Sequence, residues 1–164
     1  MKQFLIDSPD VLNVADSEIG DLLRRVYVDG GFTTPERGAS LFSPSAVRSR
    51  GRLICARPQG SEKLAGMVIV VTPDSLARRL ARSDEAELHL LAVDSAYRGL
   101  GLGHTLVSAA IAVAGELGFR RAILWTQPTM TAAQRLYEAA GFVRVAHRDP
   151  TFSGIQFLAY EKRW

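Results

Sequence analysis

The stretch Val93-Asp94-Ser95-Ala96-Tyr97-Arg98-Gly99-Leu100-Gly101-Leu102-Gly103 follows an apolar run with strand character, Ala86 to Val93, and leads into an apolar run with helical spacing. Its three glycines lack a Cβ atom, so they let several backbone N–H groups approach one point closely. The helix that follows directs the positive end of its dipole at the same point. The stretch therefore predicts a strand, a phosphate-binding turn and a helix in succession.

The spacing of these glycines excludes two other phosphate-binding loops. A nucleoside-triphosphate loop ends in Gly-Lys-Ser/Thr, whereas Gly103 is followed by His104-Thr105. A dinucleotide-binding turn reads G-x-G-x-x-G, whereas the glycines here are two residues apart. The sequence has instead Arg98-x-x-Gly101-x-Gly103. This pattern resembles the coenzyme A pyrophosphate loop of the GNAT superfamily of N-acetyltransferases, which reads Gln/Arg-x-x-Gly-x-Gly/Ala.

A second segment carries the same resemblance. Residues 131–142 read TAAQRLYEAAGF, with an alanine, then Leu-Tyr-Glu, then Gly-Phe, as in the family's second signature. A glycine-rich loop alone also serves as a structural turn. Two signatures in this order, separated by one helix and one strand, are a specific match. The resemblance covers residues 85–147 and implies a single acetyltransferase domain over residues 1–164.

The resemblance implies an α/β fold. The expected architecture is a mixed, mainly antiparallel sheet of six to seven strands, flanked by about four helices and splayed between its two central strands. Hydrophobic spacing agrees with helices over Asp16–Val28 and Leu102–Leu117. A third helix is expected to begin with a capping box formed by Thr131 and Gln134.

Runs rich in β-branched residues predict the strands, which are expected at 53–56, 64–71, 86–93, 122–126, 143–147 and 155–162. The last two are expected to close the sheet around Asp149-Pro150. Ser75–Arg82 is expected to form a short basic helix or a lid. Phe32 and Phe42 look exposed, in a region that walls the acceptor site in the family.

Composition bounds the class of protein. The chain of 164 residues has 47% hydrophobic and 23% charged residues, which is typical of a globular domain. Its first residues have too short an apolar run for a signal peptide, and no apolar stretch approaches a membrane span. A cytoplasmic protein without membrane contact is therefore expected.

Cysteine and histidine usage argues against a metal site. Cys55 is the only cysteine, so it cannot form an intrachain disulfide or a thiolate cluster. We interpret it as a small buried residue rather than a reactive thiol. His89, His104 and His147 lack metal-ligand spacing, so no metal is predicted.

The formal charge of +3 is mild, and the basic residues are interspersed with acids. Such a balance suits an anionic cofactor better than nucleic acid, which favours a continuous basic stripe. Nucleic acid is therefore not an expected partner, although binding through the arginines would show itself as a steep salt dependence. A homodimer is compatible with the sequence.

By resemblance, the strand before the glycine loop splays from its neighbour and binds the pantetheine amides as an added strand would. The alternative is a central strand with every backbone group paired. One N–H of this strand is expected to face the thioester oxygen. The cofactor-binding residues implied are Leu91, Ala92, Val93, Arg98, Gly99, Leu100, Gly101, Leu102, Gly103, Met130 and Ala133.

Tyr137 is the candidate acid by the same resemblance. A phenol with a pKa of about 10 can protonate a thiolate whose conjugate acid has a pKa of about 8.5. Periodicity alone favours another role, because Ala133, Leu136, Tyr137 and Ala140 form an apolar helical stripe. Only the resemblance favours the catalytic role over a place in the core.

Glu87 is the candidate base. An amine with a pKa near 10.4 lies roughly 4.6 kcal/mol from its free base at pH 7, so deprotonation needs help. Glu87 and His89 share one face of their strand with Leu91, and a carboxylate on an apolar inner strand is costly without a partner. Glu87 at the solvent end of the strand, His89 as base, and an ordered water remain alternatives.

The chain departs from the family at Met130, where many members have an asparagine that contacts the cofactor arm. A thioether offers no paired donor and acceptor, so either this contact is absent or the register shifts by a residue. The expected function is transfer of an acetyl group from acetyl-CoA to a primary amine, in a small molecule or a peptide, by direct attack in a ternary complex. The alternative is a non-catalytic acyl-CoA sensor or interaction module with the same fold.

Overall fold

Nine strands and five α-helices follow one another along residues 3–164, the part of the chain that the computed structural model describes. The strands are β1 (Phe4–Asp7), β2 (Arg52–Pro58), β3 (Gly66–Val71), β4 (Ala86–Val93), β5 (Arg121–Thr126), β6 (Val143–Arg144), β7 (Thr151–Phe152), β8 (Ile155–Gln156) and β9 (Leu158–Arg163). The helices are α1 (Asp16–Leu23), α2 (Pro35–Leu41), α3 (Pro44–Arg48), α4 (Leu102–Glu116) and α5 (Thr131–Ala139).

Seven of the strands form one sheet in the order β1-β2-β3-β4-β5-β9-β6. Neighbouring strands are antiparallel except β4 and β5, which are parallel. β7 and β8 form a separate hairpin. The predicted α/β fold with a mixed, mainly antiparallel sheet is confirmed.

The two central strands separate after a short contact. β4 pairs with β5 only at Ala86 with Ala122 and at Glu87 with Ile123. From Leu88 onward, the edge of β4 that faces β5 therefore lacks a strand partner. The predicted splay is present, and it opens a wedge between β4 and β5.

The other edge of β4 pairs with β3 around an irregularity that the sequence did not reveal. Met67 pairs with Ala92 and Ile69 pairs with His89, so the register shifts between them. Leu90, inside the shift, has a φ of 50°. This left-handed conformation is unfavourable for a branched side chain and marks a β-bulge in the middle of the strand.

A hydrophobic core lies on each face of the sheet, and β3 is buried on both sides by these two cores. On one face, Leu102 and Leu106 of α4 pack in a cluster with Val68 and Val70. On the other face, Leu22 of α1 packs in a cluster with Met67, Ile69 and Cys55. Fully burying an aliphatic side chain stabilises a fold by about 1.5–3 kcal/mol. The helices of both faces thus hold β3 and β4 in place beside the wedge.

Burial confirms the interpretation of Cys55 and corrects that of Phe42. Cys55 is fully buried on β2, and burial raises the pKa of its thiol to about 12. Phe42 is only 4% exposed, contrary to expectation, because its ring packs against Tyr27 at 5.7 Å between centroids. Tyr27 lies on a π-helical turn, Arg24–Val28, that extends α1.

The predicted cap of α5 is wrong, and of the two alternatives for Ser75–Arg82, a short helix or a lid, the helix is absent. Thr131 is the first residue of α5 rather than its cap, and the cap position is taken by Met130 without a side-chain hydrogen bond. The Gln134 amide donates instead to the carbonyl oxygens of Gln127 and Pro128. Ser75–Arg82 forms a loop and not a helix, because its backbone N–H groups bond to side chains.

The C-terminal strands are shorter than predicted. Only Val143–Arg144 and Leu158–Arg163 join the sheet, and the chain between them forms a 3₁₀ turn and the β7–β8 hairpin. Ser153 and Gly154 both have positive φ, of 50° and 77°, as a two-residue type I′ turn requires. None of the helices in residues 3–164 has the length and apolar character needed to cross a bilayer.

Candidate active site

The glycine-rich loop presents open backbone at the end of β4. Gly99 and Gly101 have φ of 74° and 78°, a conformation that residues with a Cβ rarely adopt. No atom lies within 4 Å of the point where a Cβ would stand at either position. The outer surface of the loop is therefore free to receive a ligand at close range.

The N-terminus of α4 lies beside this surface. Gly101 occupies the cap position, and no side chain accepts a hydrogen bond there from the first turn. Uncapped N–H groups and the helix dipole together favour an anion. Gly103 also lies against α5, because a Cβ there would stand 3.0 Å from Leu136 Cδ2 and the Leu136 side chain would have to shift.

Ion pairs and hydrogen bonds hold the loop to its surroundings. Asp94 accepts the N–H of Ala96 and pairs with Arg25 at 2.9 Å, which ties the loop to the π-helical turn. Arg98 is exposed, and its Nε donates to the Val93 carbonyl oxygen at 3.3 Å. Its guanidinium forms no ion pair with residues 3–164, so its charge is available beside the loop.

A cavity of about 1090 Å³ opens at the wedge between β4 and β5. β4, the end of β5 and α5 all contribute to it, and the residues that matter below are Leu88, His89, Leu91, Trp125, Thr126 and Tyr137. The free edge of β4 runs from this cavity to the glycine-rich loop. The two parts of the predicted site are thus joined by one strand.

Tyr137 packs in an aromatic cluster and also lines the cavity. Its ring is buried against Phe142 and Tyr160, at centroid distances of 6.0 and 6.3 Å. Yet the residue also lines the cavity, and its hydroxyl has no hydrogen-bond partner within the described part of the chain. Burial raises the pKa of this phenol, so it stays protonated at neutral pH.

The remaining cofactor candidates are divided between the cavity and its surroundings. Leu91 and Met130 line the cavity. Ala92 is buried among the residues of the α1 face, while Val93 and Ala133 pack against the α4 face. Their part in cofactor binding stays a prediction.

Tyr27, which sequence reasoning missed, lines the same cavity. Its hydroxyl donates to the Leu91 carbonyl oxygen at 2.7 Å, and burial raises the pKa of its phenol. The bond links the π-helical turn to the β-bulge of β4. Helical spacing had identified only the apolar face of this segment.

Glu87 is fully buried, so it does not mark a solvent-exposed end of β4. Its carboxylate accepts the backbone N–H groups of Arg79, Leu80 and Ala81 at 2.7–3.2 Å, and contacts His89 Nε2 at 2.5 Å. Burial alone would raise the pKa of Glu87, but these bonds outweigh burial and hold that pKa below its usual range. The carboxylate thus holds the 75–82 loop against β4.

His89 stands between Glu87 and Arg50. Its Nδ1 lies 3.1 Å from Arg50 Nη1, which can only donate, so the ring proton is assigned to Nε2 and points at Glu87. Burial lowers the pKa of His89, against the opposing effect of Glu87, so the ring is neutral at pH 7. Both ring nitrogens are therefore engaged.

Aromatic rings form the wall of the cavity beyond His89. The His89 and Trp125 rings meet at 4.9 Å, Trp125 and Phe152 at 5.4 Å, and Phe152 and Phe157 at 5.6 Å. Phe152 reaches the cavity from the β7–β8 hairpin, which the sequence analysis treated as part of longer strands. The Ser-Gly pair of its turn was the local signal for this hairpin.

The described residues contain no group of three or more His, Cys, Asp or Glu side chains placed to hold a metal ion. His104 and His147 are exposed and lie outside the cavity.

The sequence is similar to those of known acetyltransferases. A family model described as the acetyltransferase (GNAT) family matches residues 18–142. A mycothiol acetyltransferase of Cellulomonas flavigena is 36% identical over 134 residues, which make up 77% of this chain and 38% of that protein. The chain spans only 20% to 38% of the length of the curated relatives that it matches.

Solved structures share the fold at low identity. An acetyltransferase of the GNAT family from Staphylococcus aureus Mu50 superposes with a TM-score of 0.73 and 15% identity, over 99% of each chain. A Bacillus subtilis acetyltransferase in complex with CoA gives a TM-score of 0.65 and 20% identity, over 100% of this chain and 99% of that one. At these identities the likeness concerns the fold alone.

Proposed function

Because the chain belongs to the GNAT family of acetyltransferases, we propose that it transfers an acetyl group from acetyl-CoA to a primary amine by direct attack in a ternary complex. The observation that carries this proposal is the free edge of β4, which leads from an open glycine-rich loop to a cavity with an unpaired phenol. An edge of this kind accepts an extended chain of amides as a further strand.

The site fits coenzyme A at both ends of this edge. The pyrophosphate would lie on the loop from Arg98 to Gly103, where open backbone, the α4 N-terminus and the Arg98 guanidinium favour an anion. The pantetheine amides would pair with the backbone of Leu91, Ala92 and Val93 on the free edge of β4. The thioester then reaches the cavity beside Leu91.

The transfer itself needs a stabilised oxygen and a protonated leaving group. The β-bulge at Leu90 displaces the β4 backbone from regular pairing, so an N–H group of this segment can face the thioester oxygen as negative charge develops. Tyr137 donates its proton to the sulfur as the C–S bond breaks and the thiolate develops, and burial keeps the phenol protonated for this step.

The amine must lose a proton before or during attack. Glu87 as the direct acceptor of that proton stays a prediction, and its four hydrogen bonds and complete burial argue for an indirect role. We propose that Glu87 positions His89 and the 75–82 loop, and that the amine enters as its free base and passes its proton to water. The arginines that line the cavity favour the neutral amine, since nearby positive charge disfavours an ammonium.

A thiol-release screen over amines with acetyl-CoA tests the proposal, with Tyr137→Phe and Tyr160→Phe as a matched pair. Tyr160 lies in the same aromatic cluster, but its hydroxyl contacts Glu138 and it does not line the cavity. Tyr137→Phe should lower kcat by about 10²–10⁴-fold while calorimetry shows unchanged acetyl-CoA affinity. Tyr160→Phe should keep its turnover.

Two outcomes would contradict the proposal. The absence of binding heat for acetyl-CoA and coenzyme A would remove its basis. Binding without turnover of any amine by the wild type would favour a non-catalytic acyl-CoA sensor, the alternative that Met130 suggested.

A further inference from the structure

The acceptor side of the cavity carries a cation without a counter-ion. Arg50, Arg79 and Arg37 line the cavity, and Arg50 is half-buried there. None of the ion pairs formed within residues 3–164 includes any of the three. By contrast, the buried guanidinium of Arg57 pairs with Glu18, and that of Arg148 pairs with Glu85.

The hydrogen bonds of Arg50 are also incomplete. Its Nη1 contacts His89 Nδ1, and its Nη2 donates to the Leu41 carbonyl oxygen at 3.5 Å, which is long for such a bond. Its Nε is buried and has no partner in the described structure. Water does not reach this Nε, so a ligand in the cavity would meet the terminal guanidinium nitrogens, which line the cavity wall without a counter-ion.

The carboxylates of Glu87 and Asp74 do not balance this charge. Glu87 lies on the far side of the His89 ring, and its oxygens already accept four donors. Asp74 lines the cavity at an exposed position, where it accepts the Thr72 hydroxyl and forms no ion pair with an arginine. The Arg50 guanidinium is therefore available to an anionic group of a ligand in the cavity.

Coenzyme A phosphates do not fit this role. His89, the neighbour of Arg50, and Val93 pair with Ile69 and Gly66 of β3, which are three residues or about 10 Å apart along the sheet. The loop expected to hold the pyrophosphate begins beyond Val93, at the opposite end of the free edge. Ser75 Oγ bonds to the Arg50 carbonyl oxygen, so Arg50 belongs to the junction with the 75–82 loop, away from the glycine-rich loop.

We infer that the acceptor bears a carboxylate close to its amine and that Arg50 binds this carboxylate, an inference that rests on the proposed function. A guanidinium matches a carboxylate in charge and in fork geometry. His89 and Ala92 span only about 7 Å along the sheet because of the β-bulge, and Leu91 lies between them. A carboxylate at Arg50 therefore leaves an amine one or two carbons away near the thioester.

The rest of the acceptor is apolar. Trp125, Phe152 and Phe157 form one wall of the cavity, and Tyr27 and Phe42 lie on another. Rings of this kind bind aromatic or large aliphatic groups by burial of apolar area. The acceptor class is thus an amino acid, or a small relative of one, with an aromatic or large aliphatic side chain.

The test compares amino acids with amines that lack only the carboxylate. L-Phenylalanine and 2-phenylethylamine form one pair, and L-leucine and 3-methylbutylamine form another. For each pair, kcat/KM is measured by thiol release with acetyl-CoA in the wild type, in Arg50→Gln and in Arg50→Lys. Arg52→Gln is the control, because Arg52 is exposed and lies outside the cavity.

The wild type and Arg52→Gln should favour at least one amino acid over its partner by tenfold or more. Arg50→Gln should bring that ratio close to one, chiefly through KM, and Arg50→Lys should restore part of it. Equal kcat/KM within both pairs in the wild type, or an unchanged ratio in Arg50→Gln, overturns the inference while the proposed function stands. If no amine of any charge releases thiol, the proposed function fails and this inference fails with it.

Discussion

Replacement of Glu87 by glutamine keeps the shape of the side chain but removes the charge on which four donors converge. Leu80 and Ala81 donate to Oε2, His89 Nε2 contacts Oε1, and the N–H of Arg79 lies within reach of both oxygens. A glutamine can offer its carbonyl oxygen to one set of donors only. Its NH₂ group then faces the other set of N–H donors, so no hydrogen bond forms on that side.

The magnitude follows from these contacts. A hydrogen bond to a charged group contributes about 1.5–3 kcal/mol, against about 1 kcal/mol for a neutral pair. In the variant, the retained hydrogen bonds become weaker and one bond is lost. Removal of a buried charge offsets part of this cost, which leaves a net destabilisation of about 3 kcal/mol. For a domain of this size, that loss lowers Tm by about 6–12 °C.

Thermal and urea unfolding of Glu87→Gln measure this effect, with Glu62→Gln as the control. Glu62 is an exposed carboxylate in the turn that follows β2. The same preparations are assayed for thiol release, since a direct base would lose turnover at temperatures where the variant is fully folded. A Tm within 2 °C of the wild type, combined with lost turnover, would refute the positioning role and favour Glu87 as the base.

Three further predictions concern the loop, the helix contact and the pH dependence of stability. Gly101→Ala should weaken coenzyme A binding at least tenfold by calorimetry, whereas Gly60→Ala, with a similar φ in another turn, should leave the affinity unchanged. In Gly103→Ala the Leu136 side chain must shift, which should offset the gain of about 0.5–1 kcal/mol that alanine brings inside a helix, so this gain should appear only in a Leu136→Ala background. Because burial lowers the folded-state pKa of His89, the unfolded chain takes up the proton first, so unfolding free energy should fall as the pH drops below about 6.5. Urea titrations at several pH values should show a smaller decline for His89→Gln, and an equal decline would contradict the burial of a neutral ring.

Local signals account for the parts of the fold that sequence reasoning predicted well. α4 occupies Leu102–Glu116, within one residue of its predicted end, because a 15-residue apolar stripe and a glycine after the helix both act over short distances. The cap of α5 was misjudged for a related reason. Thr131 has the right neighbours for a capping box, but the Gln134 amide bonds more favourably to carbonyl oxygens of the preceding turn.

Long-range contacts explain what the sequence left open. The β-bulge at Leu90 arises where β4 pairs with β3. The sequence of β4 contains no glycine or proline that would predict it. Arg50 lies 39 residues before His89, and only the folded chain brings the two within 3.1 Å. A pattern of one segment cannot reveal such a pair, whereas the glycine-rich loop is continuous in sequence and could therefore be recognised from it.

Polar atoms without hydrogen-bond partners mark the candidate site better than the mere presence of polar residues in the core does. Glu87 and Tyr137 were both chosen as polar residues on apolar faces, yet Glu87 is saturated by donors and the Tyr137 hydroxyl has no partner in residues 3–164. In the same part of the chain, three buried side-chain atoms lack partners, and two of them, Arg50 Nε and Thr126 Oγ1, belong to residues that line the cavity. The two buried atoms destabilise the fold, because water cannot reach them and no protein group compensates. A substrate in the cavity cannot reach them either, but departures from good packing chemistry of this kind are expected around functional sites. The Tyr137 hydroxyl, which belongs to a residue that lines the same cavity, is the group left for a substrate to pair with.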